Sequence, residues 1–322
     1  MDQKPPLVLI VGTGRSGTTF LGKLLDSHPR VRYRHEPDWA YVDPSLPFLP
    51  RPTEQDAYRH QAAQYFRRLA EVRAVKVTGK TPLFRKSYRS GPREAAHRLN
   101  LAIGHVLDSL GIAKKRDLVW DMVQKDATDD LVTVIKSVNS LARAPLFAHA
   151  LPNTPIVHII RHPAGVVASR LRGANRGLMG SKTYIDSLFD AGYAEASGLK
   201  REQVQEWPLE KQFAFEWMTL NETVYRSLRN HEQYICVTHE ALSRSTEKTT
   251  QSILAHIGID WNEQTAHFIR SLRAKTASSG FFDVQRAPEP QIERWRNEMT
   301  NTQLKWIEEV IEPSRVGQWF LN

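Results

Sequence analysis

Within eight residues, 12–19, the chain places Gly12, Gly14 and Gly17, the cation Arg15, and the hydroxyls of Ser16, Thr18 and Thr19. Five apolar residues, LVLIV at 7–11, run straight into this stretch, and a helical pattern, FLGKLLDSH, leaves it. A short buried strand, a glycine turn and a helix N-terminus together make an anion cradle. Turn amides and helix dipole point at one spot, and glycines let a phosphate or sulfate approach the backbone closely. The chemistry on offer is the binding and transfer of an anionic group.

Two nucleotide-binding patterns fit part of the stretch. Gly12 to Gly17 is literally GxGxxG after a strand, and Glu36 lies about where a ribose-binding acid belongs in a dinucleotide fingerprint. The bulky Arg15 inside the turn and the Thr18-Thr19 pair after it fit poorly, because that turn packs small residues against a pyrophosphate. Gly12 to Thr19 also fits the Walker A frame, but Thr18 stands where its lysine belongs. Positive charge arrives earlier, at Arg15, which argues against ATP hydrolysis or phosphoryl transfer.

These residues need elements to hold them. β-type runs fall at 7–11, 73–78 (RAVKVT), 132–136 (VTVIK), 156–160 (IVHII) and 234–237 (YICV), and a strand-like VRYR precedes His35-Glu36. Helical patterns fall at 18–27, 55–72, 93–111, 138–150, 163–172, 208–230, 246–257 and 300–311. Alternation of apolar strands with helices predicts an α/β fold, a single domain over 1–322 with a central parallel sheet flanked by helices. Two stretches break the rhythm. Residues 40–54 carry four prolines, and 173–206 carry five glycines among polar and aromatic residues. Both are expected as acceptor-side loops that line or cover a substrate site. Trp207, Phe213, Phe215 and Trp217 are expected as a helix face buried on the sheet.

The formal net charge of +9 is spread along the 322 residues with no basic run, which favours a small polyanionic ligand over nucleic acid. A single cysteine, Cys236, excludes an internal disulfide framework. MDQKPP leads into the first strand with no signal-peptide pattern, and no apolar run is long enough to span a bilayer. A cytoplasmic protein is the expectation.

A second motif follows the run IVHII: Arg161-His162-Pro163, then AGVVASR ending near Ser169. Together GTGRSGTT and this element resemble the two phosphate motifs of sulfotransferases that use PAPS (3′-phosphoadenosine 5′-phosphosulfate). The resemblance extends through HPRVRYRHEP, the KTP at 80–82, the IKS at 135–137 and ICVTHEALSRSTEKTTQSILAHIGI at 235–259. It implies a P-loop NTPase-like architecture and in-line transfer of a sulfuryl group, releasing adenosine 3′,5′-bisphosphate. Gly14, Arg15, Ser16, Gly17, Thr18 and Thr19 would hold the phosphosulfate, with Arg15 at the sulfuryl group. Arg161 would grip the 3′-phosphate in a bidentate fork, helped by the Ser169 hydroxyl and closed over by Arg286 in a late loop.

The reaction needs a base, cations for the leaving phosphate, and alignment. Glu36 is the candidate base, because the carbohydrate and tyrosylprotein branch of the family, which this chain resembles most, has a glutamate at this distance. His35 is the alternative, since the cytosolic branch uses a histidine. Lys136 and Lys80 each follow a β-type run and are expected to reach the sulfate or the acceptor. No metal is demanded, and no HxxEH, HxH or CxxC pattern is present. The expected acceptor is a hydroxyl or amine of a carbohydrate or other small polar metabolite, with an alkaloid-like secondary metabolite as the alternative. Trp39, Tyr41, Tyr184, Phe189 and Tyr193 are aromatic candidates on the acceptor side. From other classes, a P-loop nucleotide kinase and a non-catalytic polyanion-binding module stay open.

Overall fold

The structure, a computed structural model, describes residues 6–112, 114–124, 127, 130–178, 180–273 and 292–321. Five strands form its sheet: β1 (Leu7–Val11), β2 (Val31–His35), β3 (Val132–Lys136), β4 (Ile156–Ile160) and β5 (Tyr234–Thr238). Their order is β2-β3-β1-β4-β5 and every pairing is parallel. The α/β reading therefore holds.

Side chains alternate across a strand, so each face of β1 feeds its own core. Val8 and Ile10 pack with Leu21, Leu24 and Leu25 of the helix Thr18–Asp26. Leu9 and Val11 pack on the opposite face with Phe66 and Leu69 of Gln55–Glu71 and Phe147 of Ala144–Ala150. A third core joins Phe213, Phe215 and Trp217 of Leu209–Leu228 to Val166 and Val167 of Pro163–Asn175. Burial on both faces is why the strands read as continuous apolar runs rather than alternating ones.

β1 lies between β3 and β4, so chain order reverses around it and a crevice opens beyond the carboxyl ends of the strands. Register then decides who meets there. His35 pairs with Lys136, and Lys136 also pairs with Ile10, just before the glycine turn.

Two expectations fail locally. Residues 73–78 are not a strand, since Val75–Thr78 is a short helix. Val75 packs with Leu101 and Val119, and Val77 with Val72 and Ala74. The turn closes its own hydrogen bonds through Val77 and Thr78 to the Ala74 carbonyl. Burial outweighed the β-propensity of the valines. The helix expected at 138–150 begins only at Ala144. Ser137 and Ser140 spend their hydroxyls on Asp38, and such side-chain bonds compete with helix formation. Among the described residues no helix is long and apolar enough to cross a membrane.

Candidate active site

The glycine loop leaves β1 and turns into the helix Thr18–Asp26. A Cβ at Gly12 would drive into the Ile159 carbonyl oxygen of neighbouring β4. Gly17 occupies the N-cap at φ 93°, where a Cβ would strike the His239 ring. Around Gly14, by contrast, nothing lies within 4 Å of the Cβ position, so this residue borders open space. An α-helix leaves its first amides without intrahelical partners, and among the described residues no side chain caps this one. Thr18 and Thr19 therefore open a helix end suited to an anion. Ser16 serves the turn instead. Its amide donates to the Thr13 carbonyl at 3.1 Å, and its hydroxyl bonds to Thr13 as well.

Arg15 sits at φ 74°, a left-handed conformation that costs a bulky residue about 1 kcal/mol or more. The second motif helps to hold it there. Arg15 Nε donates to Ser169 Oγ at 2.9 Å, and Arg161 Nη1 donates to the Arg15 carbonyl at 3.2 Å. Pro163 opens the helix carrying Ser169, as its fixed φ and missing N–H suit a first turn. Trp217 Nε1 donates to the Arg161 carbonyl at 3.0 Å, and the Arg161 side chain lies over Gly165. The two motifs, some 150 residues apart, thus interlock. The Arg15 side chain points along the second element, toward Ser169.

His162 stacks on Trp295 with ring centroids 4.3 Å apart, and its amide donates to Glu240 at 3.1 Å. Burial, then Arg296 and Arg161, lower its pKa to about 4. Burial pushes the Glu240 carboxyl up. Arg286 lies outside the described residues.

At the end of β2, Glu36 is the second non-glycine site residue in the left-handed region, at φ 48°. Its amide donates to the Lys136 carbonyl at 2.7 Å. Its Oε1 pairs with Lys136 Nζ, and its Oε2 accepts from the Val138 amide at 3.0 Å. Two bonds to the carboxylate and one from the backbone amide fix this residue at the strand ends. Two residues on, the buried Asp38 accepts from Ser137 and Ser140. Burial first, and then Glu36, raise its pKa to about 6.

His35 differs from its neighbour. Its Nδ1 shares a hydrogen bond with the Tyr33 hydroxyl at 3.1 Å. Burial, followed by Lys136, Lys80 and Lys23, lowers its pKa to about 2. Both causes disfavour the charged ring. Lys80 stands close enough to repel its proton, while the Lys80 carbonyl accepts from Lys23 at 2.8 Å.

Both irregular loops flank this ground. Tyr193 is buried and donates to the Pro50 carbonyl at 2.9 Å, which ties the loop at 173–206 to the loop at 40–54. Trp39 sits between Lys76 and Lys115. Two features escaped the sequence reading. Asp38 looks like an ordinary loop acid. The pair Arg170–Glu216, 2.5 Å apart, hides in the amphipathic pattern, though a glutamate inside the run FAFEWM was a legible sign of a buried charge.

A profile described as the sulfotransferase family matches residues 6–263, and the chain belongs to that family. No curated protein matches the sequence. Among solved structures, it is similar to the sulfotransferase domain of the Synechococcus PCC 7002 olefin synthase at 15% identity, covering 96% of each chain with a TM-score of 0.45. The sulfotransferase domain of the curacin biosynthetic pathway matches at 14% identity, over 97% of this chain and 99% of that one, with a TM-score of 0.47. A mouse sulfotransferase complexed with PAP matches at 13% identity, over 99% of this chain and 88% of that one, with a TM-score of 0.45.

Proposed function

We propose that this sulfotransferase takes its sulfuryl group from PAPS and passes it to a small-molecule hydroxyl, or an amine, with Glu36 as base. The interlocking of Arg15, Arg161 and Ser169 supports the donor most strongly. Two anion-binding elements that touch each other, one at a helix N-terminus and one headed by a strand-end arginine, suit a ligand with phosphates at both ends of a nucleoside. Thr18 and Thr19 with the loop backbone hold the 5′ end, and Arg161 with Ser169 the 3′ end.

In the transfer, the acceptor oxygen forms a bond to sulfur while the bond from sulfur to the 5′-phosphate oxygen breaks. The acceptor proton passes to Glu36, and the electron pair leaves with adenosine 3′,5′-bisphosphate. Lys136 and the Val138 amide keep the carboxylate oriented for that proton. The helix N-terminus meets the charge that grows on the leaving phosphate, and Arg15, hydrogen-bonded to Ser169 in this structure, would have to turn from it to join. His35 is the alternative base, and its lowered pKa favours Glu36 over it.

Calorimetry tests this reading. Adenosine 3′,5′-bisphosphate should bind at least about tenfold tighter than AMP, ATP or NAD, because only it engages both elements. Equal affinities overturn the proposal. Magnesium-dependent ATP turnover would favour the kinase instead.

A further inference from the structure

We infer that the acceptor is an apolar alcohol or phenol, an inference resting on the PAPS-dependent reading above. Beside the glycine loop lies a cavity of about 330 Å³, at the small end of ligand sites, which run from about 300 to 1,000 Å³. Thr13 and Gly14 border it, as does Val138, whose amide holds the Glu36 carboxylate. It therefore borders the glycine loop and reaches the candidate base through Val138, one hydrogen bond from Glu36, which does not itself line it. Its walls are Leu49, Leu141, Val166, Trp217 and Leu220, contributed by four separate segments. Phe48 and Tyr184, ring centroids 5.6 Å apart and 38% and 47% exposed, complete an aromatic edge toward solvent.

The buried charges in this lining are already committed. Arg170 donates to Glu216 at 2.5 Å and lies 3.5 Å over the Phe213 ring, while Glu216 accepts the Tyr184 amide. That set ties the segment carrying Tyr184 to the helix carrying Ser169. Asn139 and the exposed Lys182 add polar side chains to the wall. Such a lining can orient one or two polar groups, but it cannot replace the water around a sugar. Each hydroxyl buried there without a partner would weaken binding by about tenfold. An apolar ring system or alkyl chain loses nothing of the kind and gains by burial. The carbohydrate acceptor expected from the resemblance at Glu36 thus fits these walls less well.

The test uses the full chain saturated with adenosine 3′,5′-bisphosphate, with 2-naphthol, 1-octanol, glucose and N-acetylglucosamine as probes. Calorimetry should show binding of 2-naphthol or 1-octanol and none of either sugar. With PAPS present, the apolar probe that binds should accept sulfate. Leu220→Asn should raise its KM by about tenfold and leave the affinity for adenosine 3′,5′-bisphosphate unchanged. Sugar binding without apolar binding, or no apolar binding at all, overturns the acceptor class while the transferase reading stands. Failure of the wild-type chain to bind adenosine 3′,5′-bisphosphate sinks that reading, and this inference with it.

Discussion

The anion cradle and the cavity beside it share Thr13 and Gly14 but are built by opposite means. The cradle is largely backbone: a glycine turn, a helix end and two short outlets at the carboxyl ends of adjacent strands. Its few side chains, Arg15, Arg161 and Ser169, hold one another. The cavity is lined by residues drawn from segments between residues 13 and 220. Backbone geometry tolerates little change, as the Ile159 carbonyl pressed against Gly12 illustrates. Loop side chains can be exchanged without disturbing the sheet. A shared donor with a variable acceptor is what this division of labour permits.

Glu36 is hydrogen-bonded to Val138, which lines the cavity, and Glu36→Gln tests the division most sharply. Turnover should fall by about 10²- to 10⁴-fold, the usual worth of a positioned base. Calorimetric affinity for adenosine 3′,5′-bisphosphate should stay within a factor of two or so, since a glutamine oxygen still accepts from Val138. Unchanged turnover would remove Glu36 from the chemistry.

Arg161→Ala should act on the cradle alone. Losing charge-assisted bonds to a phosphate costs about 2 kcal/mol, or ~30-fold in affinity for adenosine 3′,5′-bisphosphate. The affinity for 2-naphthol should not move. A joint loss would mean the two regions are not separable.

The smallest effect concerns the support beneath Glu36. The Asp38 carboxyl titrates at about 6 in the folded chain, raised by burial and by Glu36. The folded state holds this proton more tightly than the unfolded state, so the contribution is intact below about pH 4 and is lost as pH rises through 6. Asp38→Asn removes the titration and keeps an acceptor for Ser137 and Ser140. Relative to wild type, its stability in urea melts should improve by about 2 kcal/mol between pH 4 and pH 7. A pH-independent difference would show that Asp38 is not held in this way.

The cradle was legible from residue types because its geometry is local. Three glycines after five apolar residues, with hydroxyls at the helix start, can be read within thirteen positions. The Arg161 element was legible for the same reason, with Pro163 marking the helix start. The run at 73–78 was misread, because periodicity registers apolar valines but not the small clusters that bury them as a helical turn. Arg286, the expected closing cation, lies outside the described residues.

By itself, the order of residues determined the five sheet strands, the glycine turn at a helix start and the strand-end arginine with its proline-opened helix, since each depends on neighbours within a few positions. Tertiary structure alone decided which of these meet. Parallel pairing set His35 and Glu36 beside Lys136, and burial among lysines lowered the histidine pKa while the Val138 amide oriented the glutamate. The turn of Arg15 toward Ser169 and the apolar walls beside it arose likewise, from distances through space that spacing along the chain does not encode.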